Sequence, residues 1–197
     1  MIGAAIFLIG VMSLYLSKVV LMNLTESLPL GLWHRTALSF NKGSVVGFCP
    51  NLTDKVKQDY RLEASKNGLL RICEENVQML IKPIVAKHGD VVRVTGNKIF
   101  VNERFLVERL AKDGYGNPIA SVKDGVYNVA QDEYWMISTY NKASFDSRYY
   151  GAIKVDQIKY SFEPLIVDKS KKFCWMSQQQ KCLCQAGYRQ LFHRQQV

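Results

Sequence analysis

Several residue types are scarce in this chain, and each shortage excludes a class of protein. Thirteen glycines and five prolines among 197 residues are too few for a collagen-like or fibrous chain. Three histidines and five cysteines leave little material for a metal centre. Acidic residues are outnumbered, 17 against 26 Lys and Arg, which favours an anionic partner such as a membrane surface or a nucleic acid.

What is present has the balance of a folded protein. Hydrophobic residues make up 48% and charged residues 22% of the chain, which excludes a wholly disordered protein. The length allows about one domain of ordinary size with short extensions.

Charge is missing altogether from residues 1–17, and Lys18 is the first charged side chain. A helix over residues 2–22 would be about 31 Å long, close to the thickness of one hydrocarbon core. We therefore predict that residues 1–22 form a membrane anchor, a transmembrane helix. A cleaved signal peptide is an alternative, although the basic region that such a peptide needs is missing. A buried core helix is the third possibility.

The next part of the chain, residues 23–167, is predicted to be a mainly β domain. Gly96-Asn97 separates two β-rich runs and is typical of a hairpin turn. Residues 134–138 and 158–162 are predicted to be further strands. Residues 111–125 are predicted to be a loop, and the polar residues 51–69 a helix or a loop.

The last 30 residues, 168–197, carry six Lys and Arg against one Asp. They could be a basic arm for membrane or protein contact, but we favour a solvated, flexible tail. Without the tail the net charge falls from +9 to +4, so no nucleic-acid partner is expected. Three cysteines lie in the tail at a spacing that matches no common zinc finger, and we predict no metal site.

The other two cysteines, Cys49 and Cys73, each lie beside polar or turn-forming residues. A pair of cysteines in a membrane-tethered domain suggests a disulfide in an oxidising compartment such as the periplasm. Two buried, reduced thiols are the alternative.

A candidate nucleophile follows the apolar segment directly. Ser27 is followed by Pro29 and Gly31, which predict an irregular turn that would expose the serine hydroxyl and its backbone N–H. That N–H and the hydroxyl of Thr25 could both donate to a developing oxyanion. The alternative is a serine that serves the turn alone.

A candidate base lies in the apolar run at residues 77–86. None of the three histidines belongs to a familiar triad motif, whereas Lys82 interrupts this run, and burial there would favour its neutral form. The alternative is a lysine on the solvent face of an edge strand, where Pro83 is tolerated.

A third polar segment combines Ser144, Asp146 and Arg148 within five positions. An Asp–Arg pair can brace a loop, and a neighbouring serine hydroxyl can orient an amine. The alternative is a structural turn that contains a satisfied ion pair.

In this order behind an apolar N-terminus, the three segments resemble type I signal peptidases over roughly residues 20–165. The conjugative-transfer branch, the TraF-type peptidases, is more similar still. That branch has an Asn-x-Thr-x-Ser-x-Pro-x-Gly-Leu pattern, found here at residues 23–32, and the Phe-Cys-Pro triplet at 48–50. It also has a second cysteine before the lysine and the Tyr-Asn-x-x-Ser-Phe-Asp-Ser-Arg-Tyr pattern, found at residues 140–149.

The resemblance implies a role for each polar side chain of the three segments. Ser27 would be the nucleophile and Lys82 the general base, with Ser144 orienting the lysine amine. The oxyanion hole would be formed by Thr25 and the N–H of Ser27, and the supporting pair would be Asp146 and Arg148. The chain departs from the general family at Pro83, at His88 and at residues 138–140, where Arg, Pro and Gly-Asp-Asn are usual.

The resemblance also implies an antiparallel β catalytic domain whose groove lies at the surface of the bacterial inner membrane and faces the periplasm. The substrate would be a pilin precursor of a conjugative type IV secretion system, cleaved without any cofactor and released by water or cyclised by its own amino terminus. Membrane lipids would contact the anchor. Two other functions stay open: a self-cleaving Ser–Lys regulator, and a catalytically inactive assembly or scaffold subunit of the same apparatus.

Overall fold

A computed structural model describes residues 19–52, 73, 78–113, 115–168, 174–176 and 182–184. Residues 1–18 of the predicted anchor, and most of the polar segment predicted at 51–69, lie outside these ranges. Within the described ranges, no helix has the length and apolar character to cross a membrane.

The described residues are mainly β, as predicted. In chain order the strands are β1 (Val20–Asn23), β2 (Gly31–Thr36), β3 (Val45–Phe48), β4 (Leu80–Ala86), β5 (Val91–Thr95), β6 (Lys98–Val101), β7 (Arg104–Glu108), β8 (Gly125–Asn128), β9 (Glu133–Met136), β10 (Ile153–Lys154), β11 (Ile158–Val167), β12 (Cys174–Met176) and β13 (Cys182–Cys184). A short helix, α1 (Ser147–Tyr150), and a 3-10 turn (Val155–Gln157) complete the regular structure of these residues.

The strands form two main antiparallel sheets. One has seven strands in the order β1-β2-β11-β3-β4-β9-β10, and the other has four in the order β7-β6-β5-β8. The long strand β11 pairs with both β2 and β3, so it joins the N-terminal hairpin to the middle of the larger sheet. This sheet carries both the candidate nucleophile loop, between β1 and β2, and the candidate lysine, on β4.

The predicted helix over residues 2–22 extends too far. Residues 20–22 belong to β1, where Val20 lies opposite His34 and Leu21 opposite Trp33. Burial alternates along β1, since Leu21 points into the core and Met22 is exposed. The apolar run is continuous in sequence, so its composition did not show where the period changes to that of a strand.

The predicted hairpin at Gly96-Asn97 is confirmed, because β5 and β6 pair across it and Gly96 has a positive φ of 57°. A second tight turn at Asn102 and Glu103, with φ of 49° and 62°, leads into β7, which the sequence analysis did not predict. Residues 104–108 begin and end with a charged side chain, Arg104 and Glu108, which hides the strand pattern. The loop predicted at 111–125 is confirmed for its described part up to residue 124, apart from an isolated bridge between Lys112 and Pro118, and Gly125 already begins β8.

Three apolar clusters form the core of the described residues, and one of them supports the nucleophile loop. Its buried members are Leu21, Leu28, Trp33, Val45, Met79 and Phe162. Leu28, directly after Ser27, is almost fully buried, and the Trp33 indole donates to the carbonyl of Pro29 at 3.1 Å. The loop is therefore anchored to the core immediately beside the candidate nucleophile.

Part of the predicted tail is described. Cys174–Met176 pairs antiparallel with Cys182–Cys184, with Cys174 opposite Cys184, and the N–H of Asp168 donates to the carbonyl of Leu30 at 2.8 Å. The rest of residues 169–197 lies outside the described ranges.

Candidate active site

The loop that carries Ser27 is organised by the side chain of Asn23, which is 4% exposed. The Asn23 amide donates to three main-chain carbonyls, those of Thr25 at 3.0 Å, Leu28 at 3.2 Å and Pro29 at 3.1 Å. Because its N–H groups are hydrogen-bonded, burying this amide costs little free energy. The same hydrogen bonds fix the path of the loop on both sides of Ser27. Asn23 belongs to the sequence pattern quoted above, but the sequence analysis gave it no role.

Two serines from the segment at 138–148 contact Ser27. The Ser144 hydroxyl donates to the Ser27 hydroxyl at 3.1 Å, and the Ser138 hydroxyl donates to the Ser27 carbonyl. The first contact shows that Ser27 and Ser144 lie together. Among the described residues, Ser144 forms no hydrogen bond with Lys82, so its role in orienting the amine stays a prediction.

Lys82 lies in the interior of the larger sheet. Strand β4 pairs with β3 on one side and β9 on the other, and Lys82 is 5% exposed. The alternative that placed it on an exposed edge strand is therefore wrong. Burial lowers the pKa of Lys82 from 10.5 to about 8; the Asp146 carboxylate opposes this shift, and the Arg148 guanidinium adds to it.

Pro83 is tolerated within this central strand because the ladder is irregular there. The pairing of β4 with β9 shifts register between Ile84 and Ala86, and the Pro83 carbonyl still accepts from the N–H of Ile137 at 3.2 Å. A proline inside a sheet is normally confined to an edge or to such an irregularity. The departure from the usual arginine therefore leaves Lys82 in its strand.

Asp146 and Arg148 form an ion pair whose side chains are both fully buried. Two parallel hydrogen bonds, each 2.8 Å long, join the guanidinium to the carboxylate. The carboxylate also accepts from the N–H of Ser138 at 3.0 Å and caps α1 at the N–H of Arg148. The remaining guanidinium donors bind the main-chain carbonyls of Glu108, Ser138, Asn141, Lys142 and Ser144.

The segment at 137–148 brings the serine loop and the lysine strand together. The N–H of Ile137 binds the carbonyl of Pro83, next to Lys82, and the following residue, Ser138, binds the carbonyl of Ser27. Within the described part of the chain, no direct hydrogen bond joins Lys82 to Ser27. The nucleophile loop and the lysine strand therefore both contact the same segment.

The hydroxyl of Thr25, predicted to donate to an oxyanion, is occupied in this structure. It donates to Oδ1 of Asn23 at 2.9 Å, and the N–H of Thr25 reaches the same oxygen at 3.2 Å. A hydroxyl has one proton to donate, so Thr25 must leave Asn23 before it can stabilise an oxyanion. The side chain is exposed, which leaves it room to rotate.

Comparison with known proteins identifies the family. Residues 1–162 match the family model described as "Signal peptidase, peptidase S26". The chain belongs to the S26 signal peptidase family. A plasmid transfer protein TraF from Escherichia coli is 28% identical to the S26 chain over 168 residues, which cover 83% of this chain and 90% of that protein.

A second relative of the S26 chain also carries a conjugation name. It is a probable conjugal transfer protein TraF from Sinorhizobium fredii, 32% identical over 136 residues, 66% of this chain and 68% of that protein. Among solved structures, a signal peptidase I from Enterococcus faecalis V583 matches 64% of this chain and 98% of its own, at 13% identity and a TM-score of 0.34. That structural likeness is too weak to carry an argument.

The disulfide predicted for the S26 chain is present. Cys49 and Cys73 are bonded with their Cα atoms 5.7 Å apart, within the usual range for a disulfide. Both cysteines pack against the cluster that contains Leu28 and Met79. The bond therefore ties Cys73 to the end of β3 and to the core beneath the nucleophile loop.

Among the residues that the structure describes, no group of three or more metal-ligating side chains comes together. The side chains described above bring to the site a serine hydroxyl, that of Ser27, and a buried amine of lowered pKa, that of Lys82.

Proposed function

We propose that this S26 chain is a membrane-bound serine endopeptidase with a Ser27–Lys82 dyad, which processes a pilin precursor for conjugative transfer. The observation that carries the proposal is the burial of Lys82 within a central strand, which lowers its pKa to about 8. Burial of a lysine side chain favours the neutral amine that a base must be. About one such lysine in ten is neutral at pH 7.

The first step is acylation of Ser27. Neutral Lys82 takes the hydroxyl proton as Ser27 Oγ attacks the carbonyl carbon of the scissile peptide. The Ser27 N–H supports the oxyanion, together with the Thr25 hydroxyl once it has left Asn23. The tetrahedral intermediate then collapses, the C–N bond breaks, and the lysine ammonium returns its proton to the departing amine.

The second step removes the acyl group. Water, or the free amino terminus of the same precursor, gives up a proton to Lys82 and attacks the ester carbonyl. Attack by water yields a new carboxylate end, whereas attack by the amino terminus forms a peptide bond and closes a ring. The Ser27 alkoxide leaves in both cases and is reprotonated by Lys82.

The proposed substrate class and location are supported by the names of the relatives, by the apolar residues 1–17 and by the disulfide. The relatives are plasmid and conjugal transfer proteins by name, which supports a role in conjugation, and the pilin precursor is the substrate that the resemblance implies. The uncharged residues 1–17 support an anchor in the bacterial inner membrane. The Cys49–Cys73 disulfide supports a catalytic domain that faces the oxidising periplasm.

One observation favours a second candidate, a catalytically inactive assembly or scaffold subunit of the secretion apparatus. The Thr25 proton is committed to Asn23, and the described residues show no hydrogen bond between Lys82 and Ser27. A subunit that had lost its activity could keep these residues without the hydrogen bonds that catalysis needs. Catalytic hydrogen bonds also often form first in the substrate complex, and the mass of the precursor distinguishes the two functions.

The test is the intact mass of the cognate pilin precursor after coexpression with variants of this chain. We expect wild type and an exposed-loop control, Ser121→Ala, to shorten the precursor, and Ser27→Ala and Lys82→Met to leave it unchanged. A further deficit of one water would mean cyclisation. The same precursor mass with wild type and with Ser27→Ala would favour the scaffold subunit.

A further inference from the structure

A buried serine outside the proposed dyad contacts the main chain of the nucleophile. Ser138 is fully buried and lies two residues after the end of β9, 111 residues away from Ser27 in sequence. Its hydroxyl reaches the carbonyl of Ser27. The general family pattern has glycine at this position, so the hydroxyl is a feature that the resemblance does not explain.

The direction of this hydrogen bond is fixed by the second partner of the hydroxyl. The backbone N–H of Tyr140 donates to Ser138 Oγ at 3.1 Å. Because an N–H can donate but not accept, the single proton of Ser138 remains for the Ser27 carbonyl, which can accept but not donate. The Ser138 hydroxyl therefore accepts a hydrogen bond from the Tyr140 N–H and donates one to the Ser27 carbonyl.

The main chain of Ser138 is held as firmly as its side chain. Its N–H donates to Asp146 at 3.0 Å, and its carbonyl accepts from Arg148 at 3.3 Å. Arg148 also binds the carbonyl of Ser144 at 2.9 Å. One buried guanidinium thus fixes both serines that contact Ser27, one at its hydroxyl and the other at its carbonyl.

We infer that Ser138 is a positioning residue: its hydroxyl transmits the fixed geometry of the Asp146–Arg148 pair to the Ser27 main chain and holds the nucleophile in its reactive orientation. This inference rests on the proposed function, since it takes Ser27 as the nucleophile. Asn23 holds the loop at Thr25, Leu28 and Pro29, but none of these contacts involves the carbonyl of Ser27 itself. Ser138 supplies that missing restraint.

The kinetic test compares two variants that remove the hydroxyl, Ser138→Ala and Ser138→Gly, with a matched control. The control is Ser161→Ala, which removes another buried serine hydroxyl, one that accepts from the main-chain N–H of Ser39 at 2.8 Å. We expect both Ser138 variants to lower kcat for the precursor by about 10- to 100-fold, as misplaced reacting groups do. We expect KM to change less than about twofold and the pH profile to keep its midpoint, because Lys82 is untouched.

A second measurement reports the contact without requiring activity. Serine labelled with carbon-13 at the carbonyl and leucine labelled with nitrogen-15 mark the two Ser–Leu pairs of the chain, at residues 13–14 and 27–28. Cell-free synthesis of the full chain avoids scrambling of the label, and the loss of one signal in Ser27→Ala assigns the Ser27 carbonyl. We expect that carbonyl to shift upfield in both Ser138 variants and to stay in place in Ser161→Ala.

The two measurements separate the possible failures. An unmoved carbonyl shift would overturn the contact, and a moved shift with kcat equal to that of Ser161→Ala would overturn its positioning role. If the shift moves in the Ser138 variants but the wild-type chain cleaves no precursor, the contact is established, whereas the proposed function, and the positioning role with it, is overturned. If one Ser138 variant does not fold, the other still decides among these outcomes.

Discussion

The hydroxyl of Ser144 lies 3.1 Å from the hydroxyl of Ser27 and donates to it, although the two residues are 117 positions apart in sequence. Both serines depend on the same support, because Ser144 is fixed through Arg148 and Ser27 through Ser138. Lys82 is affected by the same two charges, those of Asp146 and Arg148. The buried ion pair therefore influences the position of the proposed nucleophile and the protonation of the proposed base together.

Activity should rise with pH as Lys82 loses its proton. Since burial lowers the pKa of Lys82 to about 8, kcat/KM for precursor cleavage should increase about tenfold per pH unit below pH 8 and level off above it. The measurement is a pH–rate profile between mildly acidic and alkaline conditions. A flat profile over this range would rule out a lysine base, and a midpoint near 10.5 would show that the lysine is solvated.

The same shift makes a prediction about stability. The unfolded chain binds one more proton than the folded chain between pH 8 and 10.5, so the free energy of unfolding rises with pH in this window. Lys82→Met removes this pH dependence. Below pH 8 it also removes the free-energy cost of burying the charged amine, which is about 3 kcal/mol. We expect a higher melting temperature for Lys82→Met at pH 7 and a smaller difference at pH 10. An equal difference at both pH values would contradict this account.

The buried Asp146–Arg148 pair should be costly to break. Arg148→Ala leaves a carboxylate buried without its partner and several carbonyls without donors, and we expect a loss of about 3–5 kcal/mol in the free energy of unfolding. The matched control is Arg93→Ala, which breaks an exposed Arg93–Glu103 pair with N and O 2.8 Å apart and should cost at most about 1 kcal/mol. Denaturant unfolding of both variants gives the comparison. Similar losses in the two would mean that the buried pair contributes no more than a surface pair.

The sequence made some of these relationships predictable and hid others for physical reasons. The hairpin at Gly96-Asn97 and the burial of Lys82 follow from local patterns, namely turn chemistry and an apolar run around one charge. The contacts of Asn23 and Ser138 do not, because each is made to main-chain carbonyls, which every residue carries. A side chain that binds backbone leaves no complementary residue type in the sequence for the pattern to reveal.

The Cys49–Cys73 disulfide should contribute to stability through the 24-residue separation of its ends. Closing a loop of that length is worth about 3 kcal/mol in the chain-entropy model. We expect reductant to lower the melting temperature, and to have the same effect in a variant with the three tail cysteines changed to serine. Alkylation followed by mass measurement checks the pairing. Free alkylation of both cysteines in the native, unreduced protein would contradict the disulfide and the periplasmic location that it supports.

Thr25 should matter to catalysis and little to stability. Its hydroxyl donates to Asn23 in this structure, and its side chain is exposed, so Thr25→Val removes one peripheral hydrogen bond from the folded state. If the hydroxyl turns to the oxyanion during acylation, the same change should lower kcat by about 10²–10³-fold with little change in KM. Thr25→Ser, which keeps the hydroxyl, should retain most of the activity. A Thr25→Val enzyme with full kcat would leave the Ser27 N–H as the oxyanion donor and would make the Asn23–Thr25 contact a purely structural restraint of the nucleophile loop.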